Sequence, residues 1–133
     1  MLGAVCIQET WLDESKSDEE MLPFKINGYK LIQQGSQCSK HGGLAIYLNE
    51  LYEFDSKNLG LSSSFFEYQC IEVHGGDITD KITICNVYRP PKLNNSDRFV
   101  RPFLEDFTKV MTVLSKTKHV CAVTGDFNID IQK

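Results

Sequence analysis

Three short apolar runs, each followed at once by polar side chains, constrain this chain most. Residues 2–7, 82–87 and 119–124 have the composition of buried strands. The polar groups that follow them are Glu9, Tyr88, Arg89, Asp126 and Asn128. Ligands collect at strand ends in layered α/β proteins, because rigid strands there carry loops that are free to hold polar groups. The pattern therefore predicts one site to which three strands contribute.

The residue types at these strand ends suit phosphate chemistry, although each has a simpler interpretation. Asp126 and Asn128 project to the same side, so the carboxylate can hold a cation while the amide orients a phosphate oxygen. Alternatively, both only shape a turn. Glu9 can equally be an exposed acid at a strand end. Tyr88 can donate its hydroxyl to a phosphate or simply pack its ring, and Arg89 can pair with a phosphate or lie exposed without that role.

Four motifs, in this order along the chain, resemble those of the endonuclease/exonuclease/phosphatase superfamily. They are QETWL from Gln8, GGLAIY from Gly42, VYRPP from Val87 and GDFN from Gly125. Within the superfamily the chain is most similar to the apurinic-type endonuclease domain of non-LTR retrotransposons, because Trp-Leu follows Glu-Thr and Arg-Pro-Pro follows Tyr. The likeness covers nearly the whole chain but only the middle of the family domain.

The resemblance implies a fold and its extent. The expected fold is α/β, of the α+β kind seen in DNase I: a four-layer sandwich of two mainly antiparallel sheets flanked by helices, of which this chain holds a part. Residues 1–133 are then a single, truncated domain. Family members open with a strand carrying an Asn that helps to hold the metal, and they close with Ser-Asp-His. This sequence has no counterpart of either motif.

The resemblance also assigns roles to the strand-end residues. Glu9 and Asp126 are the expected ligands of Mg²⁺ or Mn²⁺, since hard cations prefer carboxylate oxygens. The expected catalytic residues are Asp126, Asn128 and Tyr88. Asp126 positions or deprotonates the attacking water, Asn128 holds that water or a phosphate oxygen, and Tyr88 meets the scissile phosphate. Asn128, Tyr88 and Arg89 form the expected phosphate-binding set.

The activity implied by the resemblance is metal-dependent nicking of DNA, in a parent chain that also carries a reverse transcriptase domain. A catalytic His that acts in concert with Asp126 is absent, so we expect the chain itself to be weakly active or inactive. Two alternatives stay open. One is a non-catalytic remnant or interaction module, and the other is a phosphoesterase of the same superfamily that acts on another substrate, such as a phosphoinositide.

Charge and composition limit the partners. The net charge of −4 does not favour DNA binding through a broad basic face. Eight Lys or Arg against three Asp or Glu lie between Lys81 and Lys118, however, which would suit a phosphate-contacting rim beside an acidic pocket or else solvated surfaces. No segment has the length or flanks of a membrane span or signal peptide. We therefore expect an intracellular protein of the nucleus or cytoplasm, without a membrane partner.

The remaining patterns predict individual elements. Strands are expected over residues 29–33, 42–48, 51–55 and 68–74, with a turn at residues 75–77. Ser17 and Glu20 have the spacing of a capping box at the start of a short helix. A longer helix is expected between residues 95 and 116, regular from about Arg101. Its predicted core-facing stripe is Leu104, Phe107, Met111 and Leu114, joined by Phe103 and Val110. The five cysteines have no metal-ligand or disulfide spacing, so free thiols are expected.

Overall fold

The structure, a computed structural model, describes residues 2–12, 15–36, 42–91 and 97–129, with the backbone alone for residues 97–99. Seven strands and two helices lie within those ranges. The strands are β1 (Ala4–Gln8), β2 (Tyr29–Gln34), β3 (Leu44–Asn49), β4 (Glu53–Ser56), β5 (Glu67–His74), β6 (Ile82–Tyr88) and β7 (Val120–Asp126). The helices are α1 (Asp18–Met21), continued by a 3₁₀ turn at Leu22–Phe24, and α2 (Asp97–Leu114). Every strand predicted from the sequence is confirmed to within about two residues.

The strands form two sheets that pack face to face. The first sheet has the order β1-β3-β2, and the second has the order β4-β5-β6-β7. All pairs are antiparallel except β6 and β7, which are parallel and are connected through α2. A parallel pair needs such a crossover, because its strands must start at the same end of the sheet. The prediction of an α+β fold with two mainly antiparallel sheets is confirmed.

Two apolar clusters separate the layers. Between the sheets, Ile46 and Leu48 of β3 pack with Ile71 and Val73 of β5. On the other face of the second sheet, the residues packed against α2 include Phe66, Cys70, Cys85, Val87, Phe103, Val110 and Leu114. Alternation along β5 and β6 sends successive side chains to the two clusters, so these two strands are covered on both faces.

Helix α2 corrects two sequence predictions. It begins at Asp97 rather than near Arg101, so Pro102 is its sixth residue. Proline at this position removes the backbone bond to the carbonyl of residue 98 and crowds that carbonyl, so its cost falls on the first turn of the helix. The core-facing stripe is also shifted: Phe103, Phe107, Val110 and Leu114 meet the sheet, whereas Leu104 and Met111 are exposed. The choice of Leu104 and Met111 as core residues was wrong by about one residue of helix rotation.

The short helix α1 lies on the outer side of the first sheet. Ser17 caps it and forms the predicted capping box with Glu20. The segment is held to the sheet by Met21, which is buried, and by the hydroxyl of Tyr47, which donates to the carbonyl of Phe24 at 2.6 Å. No helix in the described ranges is long and apolar enough to cross a membrane.

Strand β7 differs from the buried strand that its composition predicts. Its side chains alternate between partly buried and exposed, and Val120 is 68% exposed. The partly buried side faces α2, and the exposed side carries Val120, Ala122, Thr124 and Asp126. Cys6, Cys70, Cys85 and Cys121 are free thiols, as predicted, and Cys38 lies outside the described residues.

Candidate active site

The predicted strand-end residues meet at one edge of the sandwich. Tyr88, the last residue of β6, is the register partner of Asp126 at the end of β7 and of Glu67 at the start of β5. Glu9 follows β1 in the other sheet, and one of its carboxylate oxygens accepts a hydrogen bond from the Tyr88 hydroxyl. Glu9, Tyr88 and Asp126 thus come together from three strands, as the sequence pattern predicts.

Glu9 is directed to this edge by an irregularity in the strand pairing. Gln8 pairs with Leu44, but the next bonds run from Thr10 N to the Gly43 carbonyl and from Trp11 N to the Gly42 carbonyl. One extra residue, Glu9, is therefore inserted on the β1 side, which is the arrangement of a β-bulge. Its φ of 55° is in the left-handed region that non-glycine residues rarely adopt. The bulge turns the carboxylate out of the sheet toward Tyr88.

Glu67 stabilises the other side of this bulge. Its carboxylate is 1% exposed and accepts from the Gly43 amide at 3.0 Å and from the Ser36 hydroxyl at 2.6 Å. Gly43 itself has φ +90°, and a Cβ there would lie 2.6 Å from the Thr10 hydroxyl. Glycine is thus required where the two loops approach. The carboxylate of Glu67 holds the peptide against which Glu9 is placed.

Arg89 holds the segment that carries the site residues after β7. Its backbone amide donates to the Asp126 carbonyl at 2.8 Å, and its guanidinium donates to the carbonyls of Phe127 and Asn128 at 3.2 and 2.9 Å. The guanidinium also lies over the Phe103 ring, 5.1 Å from its centroid. An exposed Arg89 is therefore the wrong alternative: the residue is 2% exposed because carbonyls and an aromatic face satisfy it.

Asn128 completes the same segment. Its side-chain amide donates to the Arg89 carbonyl at 2.7 Å, and its backbone amide donates to Oδ1 of Asp126 at 3.1 Å. The backbone is left-handed, with a φ of 47°, a conformation that Asn tolerates better than most residues. Asn128 therefore does shape a turn, as one interpretation holds. Its side-chain oxygen has no partner among the described residues and can accept a hydrogen bond from a ligand.

A buried amide links the two sheets directly below the site. Asn86, fully buried in β6, donates to the carbonyls of Ile7 and Ala45 at 3.0 and 3.2 Å and accepts from the Gln8 side chain. It thus fixes the end of β1, just before Glu9, relative to β6, just before Tyr88. A buried polar network of this kind specifies one arrangement, because breaking it leaves unpaired polar groups.

Three carboxylates surround the Tyr88 hydroxyl. Burial raises the pKa of Tyr88, and the hydrogen bond to Glu9 and the charges of Glu9, Asp126 and Glu67 raise it further. The phenol is therefore protonated at neutral pH and acts as a donor. This concentration of negative charge repels a phosphate group unless a cation is also bound.

The carboxylates of Glu9 and Asp126 fit a hard divalent cation. One oxygen of each is already engaged, by the Tyr88 hydroxyl and the Asn128 amide, and the second has no partner within the described residues. Mg²⁺ commonly takes one or two protein carboxylates and completes its shell with water and phosphate oxygens. In the ranges that the structure describes, no group of three or more His, Cys, Asp or Glu forms a metal site.

Of the histidines that the structure describes, neither His74 nor His119 joins the site. His74 pairs with Asp55 at 3.1 Å, but it ends β5 at the edge opposite Glu67. His119 contacts the Thr83 hydroxyl at 2.7 Å and precedes the start of β7, again at the far end from Asp126. His41 lies outside the described residues.

Two supporting residues were not identified from the sequence. Glu67 is a polar residue in β5 and the register partner of Tyr88, and Asn86 is a polar residue in β6, two positions before Tyr88. A buried polar residue in an apolar strand is the signal that could have found them, because such a group requires a hydrogen-bond partner.

Solved structures with the same fold were found by structural comparison. The human Nocturnin catalytic domain, with bound sulfate anion, superposes with a TM-score of 0.71 and 14% identity, covering 98% of this chain and 53% of that one. Truncated TDP2 from Caenorhabditis elegans gives 0.61 and 16%, covering 96% and 50%. TDP2 from D. rerio, complexed with a single strand DNA product, gives 0.59 and 16%, covering 96% and 48%.

These neighbours are DNase I-like members of the endonuclease/exonuclease/phosphatase superfamily, and the predicted DNase I-like fold is thereby confirmed. At these identities the likeness establishes the fold alone. The chain spans about half the length of the solved structures that it matches. No protein-family model matches the sequence. No curated protein sequence matches it either.

Proposed function

We propose that this chain carries the phosphodiester-cleaving centre of a metal-dependent DNA endonuclease of the retrotransposon type. The observation that supports this most is the convergence of Glu9, Tyr88 and Asp126 from three strands on one edge. Their chemistry suits a phosphodiester, because two carboxylates and a phenol supply cation ligands and a hydrogen-bond donor. The motifs QETWL, VYRPP and GDFN support the retrotransposon assignment. A DNA substrate agrees with the DNA product bound by TDP2.

The residues divide the reaction among them. Glu9 and Asp126 would hold Mg²⁺ or Mn²⁺, which would supply Lewis-acid polarisation of the phosphate and lower the pKa of a water molecule. Asp126 accepts the proton of the attacking water, and Asn128 orients that water or a phosphate oxygen through the side-chain oxygen or its second amide hydrogen. Tyr88 is held protonated by its surroundings, and its single hydroxyl hydrogen exchanges its bond to Glu9 for one to the oxygen on which charge develops. Arg89 acts through its backbone clamp on residues 126–128, and direct phosphate contact by its guanidinium remains a prediction.

The parent protein and its location follow from the same assignment. A nicking domain of this type works beside a reverse transcriptase domain in a longer chain, in the nucleus or cytoplasm. Since the chain spans about half of the solved relatives and contains no Ser-Asp-His, we expect little or no turnover from these residues alone. Loss of one member of a catalytic group that acts as a unit typically costs several powers of ten in rate.

Nicking of supercoiled plasmid tests the proposal. The assay compares this chain with a version extended to restore the N-terminal Asn strand and the C-terminal Ser-Asp-His segment, each with Mg²⁺ and with EDTA. Each form is also tested as Asp126→Ala and as Asp80→Ala, an exposed aspartate in the turn before β6 at the far edge. We expect Mg²⁺-dependent nicking in the extended form, abolished by Asp126→Ala and unchanged by Asp80→Ala.

Two results would contradict the proposal. Nicking that survives Asp126→Ala in the extended form places the chemistry elsewhere. If no form nicks DNA and the chain hydrolyses a phosphoinositide instead, the same centre acts on another phosphoester.

A non-catalytic interaction module is the second candidate function, because the exposed side of β7 offers Val120 and Ala122 to a protein partner. That reading requires inactivity toward both substrates.

A further inference from the structure

Two cysteines face each other across neighbouring strands of the second sheet. Cys70 of β5 and Cys85 of β6 are register partners in the antiparallel ladder, and both belong to the apolar cluster packed against α2. Cys6 and Cys121, the other cysteines in the described ranges, lie opposite an isoleucine and a threonine. Within the part of the chain that the structure describes, Cys70 and Cys85 are therefore the one pair of thiols that adjacent strands place side by side.

The backbone shows which kind of cross-strand pair this is. The Cys70 carbonyl accepts from the Lys57 amide at 2.8 Å, on the β4 side of β5. The amide and carbonyl of one strand residue point to the same side, so Cys70 forms a non-hydrogen-bonded pair with Cys85. The Cα atoms of such a pair are about 4.5 Å apart, and disulfides span Cα separations of roughly 4.4–6.8 Å. A bond between the two sulfurs therefore fits the strands in their present positions.

The two thiols differ in their readiness to ionise. The hydrogen bond from the Cys85 thiol lowers the pKa of Cys70, and this bond and the charge of Lys57 together outweigh burial and the charge of Glu72. The same hydrogen bond, then burial, raises the pKa of Cys85. A thiol attacks an oxidant as its thiolate. Cys70 is therefore the thiol that reacts first, and Cys85 stays protonated beside it.

A cleft gives small molecules access to Cys70. The cleft has a volume of about 530 Å³ and lies between β2, the loop after β4 and the first residues of β5, including Cys70. Leu61 and Tyr68 also line it, and both pack in the apolar cluster that contains Cys70 and Cys85. Cys70 is 5% exposed, whereas Cys85 is 0% exposed. A molecule little larger than water, such as hydrogen peroxide, can thus reach Cys70 before Cys85, while a bulky disulfide reagent is excluded from both.

We propose that Cys70 and Cys85 are a peroxide-reactive pair that forms a reversible disulfide in the folded chain. The Cys70 thiolate attacks one oxygen of hydrogen peroxide, the O–O bond breaks, and the hydroxide that leaves takes up the proton of the Cys70 thiol to give water. The Cys85 sulfur then attacks the sulfenic acid of Cys70 and displaces hydroxide, which leaves as water with the Cys85 proton. The two sulfurs lose two electrons in total, and the peroxide is reduced to two water molecules.

The bond would join β5 and β6 in the middle of their ladder. It lies between the Glu67 and Tyr88 pair at the candidate site and Glu72 at the far edge. A cross-link of this kind limits the freedom of the unfolded chain, so the oxidised form should resist unfolding more than the reduced form. This inference is independent of the proposed endonuclease activity, because neither sulfur belongs to the residues assigned to that reaction.

Peptide mass spectrometry of the whole chain tests the pairing. The folded, reduced chain is treated with hydrogen peroxide, alkylated and digested with trypsin, and because Lys81 lies between the two cysteines the disulfide joins two peptides. We expect this linked pair as the main product, its loss on treatment with dithiothreitol, and a higher urea midpoint for the oxidised chain. Folded protein in which both thiols survive peroxide, or in which either is linked chiefly to another cysteine, overturns the inference.

Three variants test the order of attack, with circular dichroism as the check on folding. In Cys85→Ala the sulfenic acid of Cys70 has no resolving thiol, so we expect dimedone to label Cys70. Cys70→Ala should leave Cys85 unlabelled, because peroxide does not reach it. Cys6→Ala is the matched control and should still form the disulfide. Labelling of Cys85 in Cys70→Ala that equals that of Cys70 in Cys85→Ala contradicts the assigned order. If either variant does not fold, the product found in the wild type decides alone.

Discussion

Glu67 supports the candidate site although its own side chain is buried behind it. The carboxylate holds the Gly43 amide, Gly43 and Gly42 accept from Thr10 and Trp11, and those bonds fix the bulge that presents Glu9. The site geometry therefore depends on a residue that contacts neither the proposed cation nor the phosphate. Because this dependence passes through backbone groups, a change at residue 67 should alter the position of Glu9 and the surroundings of Trp11 together.

Glu67→Ala should lower the free energy of unfolding by about 1–3 kcal/mol, since it leaves the buried Gly43 amide without its acceptor. Urea denaturation measures the loss. Trp11 emission in the folded state, before any unfolding, should also shift relative to wild type. Glu53→Ala is the matched control, a strand-starting glutamate with a side chain 67% exposed, and should change stability by less than about 0.5 kcal/mol. Equal effects of the two variants would contradict this role for Glu67.

At the scale of elements, helix α2 covers the second sheet through a stripe that begins at Phe103. Phe103 is 1% exposed and Leu104 is 47% exposed, although they are neighbours in the chain. Phe103→Ala should therefore cost about 3–5 kcal/mol through lost burial and the cavity that remains. Leu104→Ala should change stability by less than about 0.5 kcal/mol. Thermal or urea unfolding of the two variants decides between this stripe and the one predicted from the sequence. A larger loss of stability in Leu104→Ala than in Phe103→Ala would contradict the observed stripe.

A charged cluster ties β4, β5 and β6 together at the edge away from the site. Glu72 contacts Lys81 at 2.6 Å and Lys57 at 3.2 Å, and the hydrogen bond from Lys81, then that from Lys57, lowers the pKa of Glu72 to about 2. A carboxyl with a pKa lower in the folded than in the unfolded state stabilises the fold above its unfolded pKa of about 4.3. This contribution disappears as the pH falls from there toward about 2.

Acid unfolding should reveal this contribution. Between about pH 4.3 and pH 2, the urea midpoint of the wild type should fall more steeply than that of Glu72→Gln, which has no carboxyl to protonate. Lys81→Met should reduce the steepness more than Lys57→Met, because Lys81 makes the shorter contact. Parallel pH profiles for the wild type and Glu72→Gln would show that the cluster does not stabilise the fold.

The positions of strands and helices were easier to predict from the sequence than the contacts that their side chains make. Apolar runs bounded by Gly and polar clusters located all seven strands, because a strand's period and length appear directly in its residues. The stripe on α2 failed because Phe103, Leu104, Val110 and Met111 are all apolar, so either choice of face satisfies the helical period. The structural roles of Arg89 and Glu67 were not predicted, because their hydrogen-bond partners are backbone groups of segments that are distant in the sequence.

At the scale of the molecule, the two sheets do not cover each other completely. Asn86 and Tyr88 of β6 point toward the first sheet. The residues of β7 on the same side of the second sheet are Val120, Ala122, Thr124 and Asp126. All four are exposed, because within the described residues the first sheet ends at β1 and the second at β7. Each of these edge strands has one strand neighbour among the described residues, so its outer backbone edge has no ladder partner there. An open edge beside an exposed apolar face favours pairing with another strand.

The chain should therefore self-associate through this corner. Its weight-average mass in sedimentation equilibrium should rise with concentration over tens of micromolar, the range in which exposed strand edges and apolar faces cause association. Val120→Lys should reduce that rise without loss of stability, because Val120 is already 68% exposed and gains a charge that opposes strand pairing. Leu104→Lys, an equal change on the exposed face of α2, should leave the association unaltered. If the wild-type protein stays monomeric throughout this range, the twist of β1 and β7 already protects the corner. If Leu104→Lys dissociates the protein, the contact lies on α2 instead.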